Sequence, residues 1–98
     1  MGHLVNYGMV AFSTDTGHNS NPSDATWAYG ADTQIKDWGY LAMHESVVLA
    51  KHVITSFYDD KIDYSFFMAC SGGGRMGLKE LQDYPDDFNG YAIGAPPW

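Results

Sequence analysis

The sequence is poor in cysteine, in basic side chains and in long apolar runs. Cys70 is the only cysteine among 98 residues, so the chain holds no internal disulfide and no cysteine-based zinc site. Five basic side chains stand against twelve acidic ones, for a formal net charge of -7. Such a surface repels phosphate backbones and anionic lipid, which argues against nucleic acid as a partner and against a charged membrane surface. No apolar stretch approaches the roughly 20 residues of a membrane span. The first residues lack the basic-then-apolar order of a signal peptide, and Asn6 stands where myristoylation wants Ser or Thr. Internal repeats and low-complexity tracts are also missing.

What is present is a core-forming composition, 45% hydrophobic and 15% aromatic, in a length suited to one domain. Gly8 to Ser13 is a short apolar run behind a turn-prone Asn6-Tyr7-Gly8, which predicts a strand buried on both faces. A polar loop follows it, from Thr14 to Asp24. From Asp37, a candidate N-cap, to about Tyr58 the residues Tyr40, Met43, Val47, Ala50, Ile54 and Phe57 recur at steps of three and four, predicting a helix. Tyr64 to Ala69 reads as a second buried strand. A short helix from about Gly74 to Tyr84 follows, with Leu78 and Leu81 inward, Lys79 and Asp83 paired outside, and Pro85 stopping it. Gly90 to Ala95 is a third strand. Strand, helix, strand, helix, strand is the order of an α/β fold, a parallel sheet covered by helices. Three doubly buried strands need more neighbours than residues 1–98 provide, so the chain reads as a single incomplete domain.

The chemistry concentrates in Phe67-Met68-Ala69-Cys70-Ser71-Gly72-Gly73-Gly74-Arg75. A serine set between an aromatic strand and a helix, with small residues two before it (Ala69) and two after it (Gly73), fits a nucleophile elbow, where a strained turn presents Oγ and tolerates nothing bulky beside it. A plain flexible turn or a phosphate-binding glycine loop are the other readings; the latter wants a Walker lysine or a G-x-G-x-x-G fingerprint, and neither is here.

These residues resemble the tannase and feruloyl esterase family, whose elbow reads Cys-Ser-x-Gly-Gly-Arg. The segment Val10 to His18 resembles the family's preceding strand and loop. Asp37-Trp38-Gly39-Tyr40 with Ala42-Met43-His44-Glu45 is similar to its helix start, and Tyr84-Pro85-Asp86-Asp87-Phe88-Asn89-Gly90 with Gly94-Ala95-Pro96 to two later blocks. The resemblance runs from about Gly8 to Pro96. It implies a secreted serine esterase of α/β-hydrolase fold acting on esters of phenolic acids such as gallate or ferulate. It also implies a lid domain, inserted after the strand ending near Ala95, that carries specificity and a structural calcium site. Lid and C-terminal half are absent from residues 1–98, and no cofactor is expected within them.

Carried over residue by residue, the resemblance makes Ser71 the nucleophile and Cys70 one half of a disulfide to a cysteine beside the catalytic histidine, a partner this sequence lacks. Gly72 supplies one oxyanion-hole N–H, and Gly17, in the loop after the first strand, is the candidate for the second. Gly17 also reads as a plain turn glycine. His18 either lines the site or ties the loop together, and Arg75 either pairs with a carboxylate or reaches the site. His44 and Glu45 read as helix packing and pairing, and Asp83, Asp86 and Asp87 as a solvated face. No metal site is expected. In α/β-hydrolases the acid and then the histidine follow the serine, yet His3, His18, His44 and His52 all precede Ser71. The expected function is ester hydrolysis by acyl transfer through Ser71, with these residues alone inactive. The rival reading is a non-catalytic remnant. Oligomeric state and the identity of the ester stay open.

Overall fold

Aromatic and aliphatic residues from separate parts of the sequence meet in one cluster at the centre of the fold. The computed structural model describes residues 2–21 and 23–97. Strand β1 (Phe66–Cys70) and strand β2 (Gly90–Gly94) pair in parallel, in register from Phe66 opposite Gly90 to Cys70 opposite Gly94. Parallel neighbours need a crossover, and helix α4 (Gly72–Asp83) supplies it. A short helix α1 (Gly2–Val5), a 3₁₀ turn at Thr26–Ala28, helix α2 (Asp32–Lys36), a π turn (Asp37–Leu41) and helix α3 (Ala42–Tyr58) precede β1.

Helix α4 ends at Asp83 ahead of Pro85, and Lys79 and Asp83 pair at 2.8 Å, as the sequence leads one to expect. Its inward face differs from expectation. Gly74, Gly77 and Glu80 are the buried residues, while Leu81 is 44% exposed. The reason is the closeness of the helix to the sheet: a Cβ on Gly77 would collide with the ring of Phe67, so this face admits no side chain where it crosses β1.

The long helix also starts earlier than its apolar period suggests. Asp37 is not an N-cap; it lies in helical conformation, and the helical run begins at Asp32 behind Ala31. Met43 and Val47 are the buried residues of α3, and with Phe67 and Phe88 they form the core, flanked by Phe12, Met76, Tyr91 and Ile93. Phe67, Phe88 and Tyr91 meet edge-on or tilted, with centroids 5.5 to 6.0 Å apart.

The first expected strand is not formed. Met9 to Asp15 carries no regular structure, and among the described residues no backbone hydrogen bond joins it to β1. Val10 to Thr14 nonetheless lies beside β1, since both line one cavity with Met43, Gly73 and Met76. A doubly buried strand is held by ladders on its two sides, and among the described residues the sheet has two strands. Likewise β1 is covered on one face: Phe67 points in, while Phe66 and Met68 are 62% and 68% exposed.

The accessible surface is 7084 Å², against about 5,500 Å² for a folded monomer of this mass by surface scaling. The excess includes the rings of Phe57, Tyr64 and Phe66. Residues 1–98 expressed alone are therefore expected to give no cooperative thermal transition by circular dichroism and to self-associate on size exclusion. A monodisperse monomer with a sigmoidal melt contradicts this.

Candidate active site

Ser71 is the single residue between β1 and α4, and the chain reverses there through φ 57°, ψ -126°. A residue with a Cβ occupies that region at a cost of about 1 to 3 kcal/mol, so the surroundings must impose it. They do so with two backbone bonds. The Ser71 N–H donates to Gly94 O at 3.1 Å, tying the turn to the end of β2, and the Ser71 carbonyl accepts the Arg75 N–H at 3.1 Å, opening α4. The side chain makes no capping bond and is exposed.

The flanking small residues now have a physical reason. A Cβ on Gly73 would stand 2.8 Å from the Ala69 Cβ, so the residues two before and two after the serine touch across the turn. Gly72 is the first residue of α4, where backbone N–H groups have no intrahelical acceptor. Exposed hydroxyl, strained turn and outward N–H groups at a helix start can present a nucleophile beside donors for a developing oxyanion.

Ser13 and Thr14, which lead into the next loop, line one cavity with Ala69 and Gly73. Thr16 and Gly17 have φ of 60° and 82°. The Gly17 N–H donates to Asp15 Oδ1 at 2.9 Å, and the Thr16 N–H to Thr14 Oγ1 at 3.1 Å. A Cβ on Gly17 would lie 2.9 Å from the Asp37 Cβ, so the loop rests directly on the π turn. His18 stacks on Trp27 with centroids 3.9 Å apart, and Trp27 in turn meets Trp38 at 6.1 Å. Arg75 pairs with no carboxylate among the described residues. Its guanidinium donates to Trp38 O at 2.9 Å and Gly39 O at 3.2 Å, and its Cζ lies 3.8 Å from the Trp38 ring centroid. Cys70 is a free, exposed thiol.

Comparison with known proteins decides the family. The profile described as tannase and feruloyl esterase matches residues 1–98. The chain belongs to the tannase and feruloyl esterase family. It is 35% identical over 96 residues to a probable feruloyl esterase B-1 of Aspergillus oryzae, and 33% identical over 96 residues to a probable feruloyl esterase B-2 of Neosartorya fischeri, covering 98% of this chain in each case. It is 32% identical over 91 residues, 93% of this chain, to feruloyl esterase B of Aspergillus niger. The chain spans 17% to 18% of the length of these relatives. No solved structure matches it.

This family member also contains a polar cluster away from Ser71 that sequence reasoning missed. His44 Nδ1 lies 2.6 Å from Asp87 Oδ2, and the imidazole stacks on Tyr84 at 3.7 Å. Lys51 Nζ donates to Asp87 O at 2.5 Å. Glu80 is 1% exposed and completes a group whose His44, Glu80 and Asp87 ligand-type atoms lie within 4.8 Å of one another. Asp87 is thus not on a solvated face, its side chain being 15% exposed, whereas His44 serves the pairing expected of it. Burial, then a hydrogen bond with Asp87, pushes the Glu80 carboxyl up to about 8. A carboxyl that keeps its proton, beside an imidazole and carboxylate already at hydrogen-bond spacing, forms a buried acid network. It does not fit calcium, which takes six to eight oxygens, so the calcium that the family resemblance implies has no place in this cluster. The signal was present in the spacing: Gly74, Gly77 and Glu80 share one helix face, and a glycine-lined face is a face in close contact.

The network makes stability pH-dependent with a defined sign. Glu80 rises from an ordinary 4.5 to about 8 on folding, so between those values the folded state holds a proton that the unfolded state has released. This contribution is complete below pH 4.5 and is lost as pH rises through 8. Glu80→Gln in a full-length protein carrying this chain is expected to flatten that decline and to raise the melting temperature at pH 8. Melting curves from pH 4.5 to 9 check this, and parallel curves for parent and variant contradict it.

Proposed function

We propose that the chain is the nucleophile-bearing segment of an α/β-hydrolase that cleaves carboxylic esters of phenolic acids by acyl transfer through Ser71. The observation that carries the reading is the Ser71 turn itself: φ 57° in an exposed residue with a side chain, between a parallel strand and a helix, with its hydroxyl making no hydrogen bond among the described residues. Such strain persists where function requires it. Family membership supports the ester chemistry, and the names of the relatives, feruloyl esterases, support a phenolic acyl group.

In this mechanism Ser71 Oγ attacks the ester carbonyl. The Gly72 N–H meets the oxyanion, and a histidine oriented by an acid, both supplied from outside residues 1–98, takes the serine proton and passes it to the leaving alcohol. Water then releases the acid by the reverse sequence. Gly17 serves as the second donor once its N–H exchanges Asp15 Oδ1 for the oxyanion. His18, stacked on Trp27 beside that glycine, borders the site. Cys70, one residue before the nucleophile, forms a disulfide with a cysteine adjacent to the catalytic histidine, which would hold the two reacting side chains in register. Secretion belongs to the same proposal and suits a disulfide. Among the described residues no helix is long and apolar enough to cross a membrane.

The excess exposed apolar surface favours one further point: residues 1–98 alone are inactive, because the sheet face that would seat the remaining machinery is bare. In a full-length protein carrying this chain, Ser71→Ala is expected to lower kcat on methyl ferulate by about 10⁴-fold or more, with an unchanged circular dichroism spectrum. Turnover within tenfold of the parent contradicts the assignment and favours a non-catalytic role.

A further inference from the structure

Arg75 is the only arginine of the chain, and its position is electrostatically unfavourable. It lies in the first turn of α4, where the helix dipole repels a cation, and among the described residues no carboxylate pairs with it. Its partners are instead two backbone carbonyls in the π turn. The Ala42 N–H there bonds back to Asp37 O, five residues away. A π turn leaves the helical ladder locally disrupted, and Trp38 O and Gly39 O point their lone pairs at the guanidinium. The Cζ of the same group lies over the Trp38 ring, 3.8 Å from its centroid. A rigid planar fork suits this combination of two acceptors and one aromatic face, and a lysine ammonium does not reproduce it.

What the arginine joins gives it a role. On one side its backbone N–H bonds Ser71 O, so its stem rises from the nucleophile's own turn. On the other side, two routes lead from the π turn to the loop of Gly17 and His18. Gly17 rests on Asp37, and His18 stacks on Trp27, which meets Trp38. Both end within one residue of the carbonyls that Arg75 holds.

We propose that Arg75 is a positioning residue: it latches the π turn Asp37–Leu41 to the first turn of α4 and so fixes the Gly17–His18 loop against Ser71 and Gly72. The inference rests on the reading of Ser71 as nucleophile. Arg75 touches no reacting atom in this role. Its contribution is registry between two backbone segments that must face one oxyanion, where a displacement of about 1 Å costs on the order of 100-fold in rate.

The test uses the full-length protein with Arg75→Ala, Arg75→Lys and Ser71→Ala, assayed on methyl ferulate, with active sites counted by exhaustive fluorophosphonate labelling. Expected for Arg75→Ala is a kcat per labelled site lower by roughly 10- to 100-fold with KM within about twofold, partly restored by added guanidinium and not by methylammonium. Arg75→Lys is expected to keep the KM and lose most of the same kcat. A parental kcat per labelled site in either arginine variant overturns the latch, as does a loss that guanidinium and methylammonium restore equally. Failure of both variants to fold, with no recovery of labelling in guanidinium, overturns it too, since Arg75 is then only a structural residue. If Ser71→Ala keeps parental turnover, the underlying nucleophile reading fails instead, and the two failures are told apart.

Discussion

The contact between α4 and β1 sets the geometry of everything around it. Helix and strand are joined by one residue, and the helix folds straight back onto the strand it leaves. That is feasible because Gly73 meets Ala69 and Gly77 meets the Phe67 ring with no side chain between them. Any Cβ at those positions would push the helix outward and relax the turn. With the helix held close, Ser71 is driven to φ 57°, its carbonyl opens α4 and its N–H reaches Gly94 O. The strain at the serine is a consequence of packing two and six residues further on, which is why the small residues matter as much as the serine does.

The other end of α4 is fixed by a different kind of force. Glu80 lies on the same glycine-lined face, and burial beside Asp87, which is bound by His44 and Lys51 from α3, favours its protonated form. The helix is thus held at its start by close packing and near its end by a polar network linking α3 to the segment before β2. A buried carboxyl left unpaired is costly, and such a network restricts how α4 can slide along the sheet. Glu80 Oε1 and the Tyr91 hydroxyl are buried without a hydrogen-bond partner among the described residues.

Local chemistry was legible in the sequence and long-range pairing was not. The serine between small residues, the helix stop before Pro85 and the Lys79 to Asp83 pair depend on neighbours within a few positions, and all are seen. The run Gly8 to Ser13 has strand composition, yet a strand needs partners, and composition carries no information on whether they are present. Asp37 has the chemistry of a cap, but packing of the π turn against Arg75 and Gly17 extends the helical run back to Asp32. Of the two expectations for Arg75, a carboxylate partner or a reach to the site, neither names the backbone carbonyls it bonds, because charge is visible in a sequence and the carbonyls of a π turn are not. Asp87 and Glu80 sit 43 and 36 positions beyond His44, and only folding brings them together.

The central claim is that the strained Ser71 is the residue this fold was built to present. The direct measurement is brief exposure of a full-length protein carrying this chain to a fluorophosphonate, followed by tandem mass spectrometry of every serine-containing peptide. The account predicts a single adduct, on Ser71, and none on the protein unfolded in denaturant before exposure. An adduct on Ser13, Ser46, Ser65 or any other serine in place of Ser71, or equal labelling of folded and unfolded protein, would contradict it.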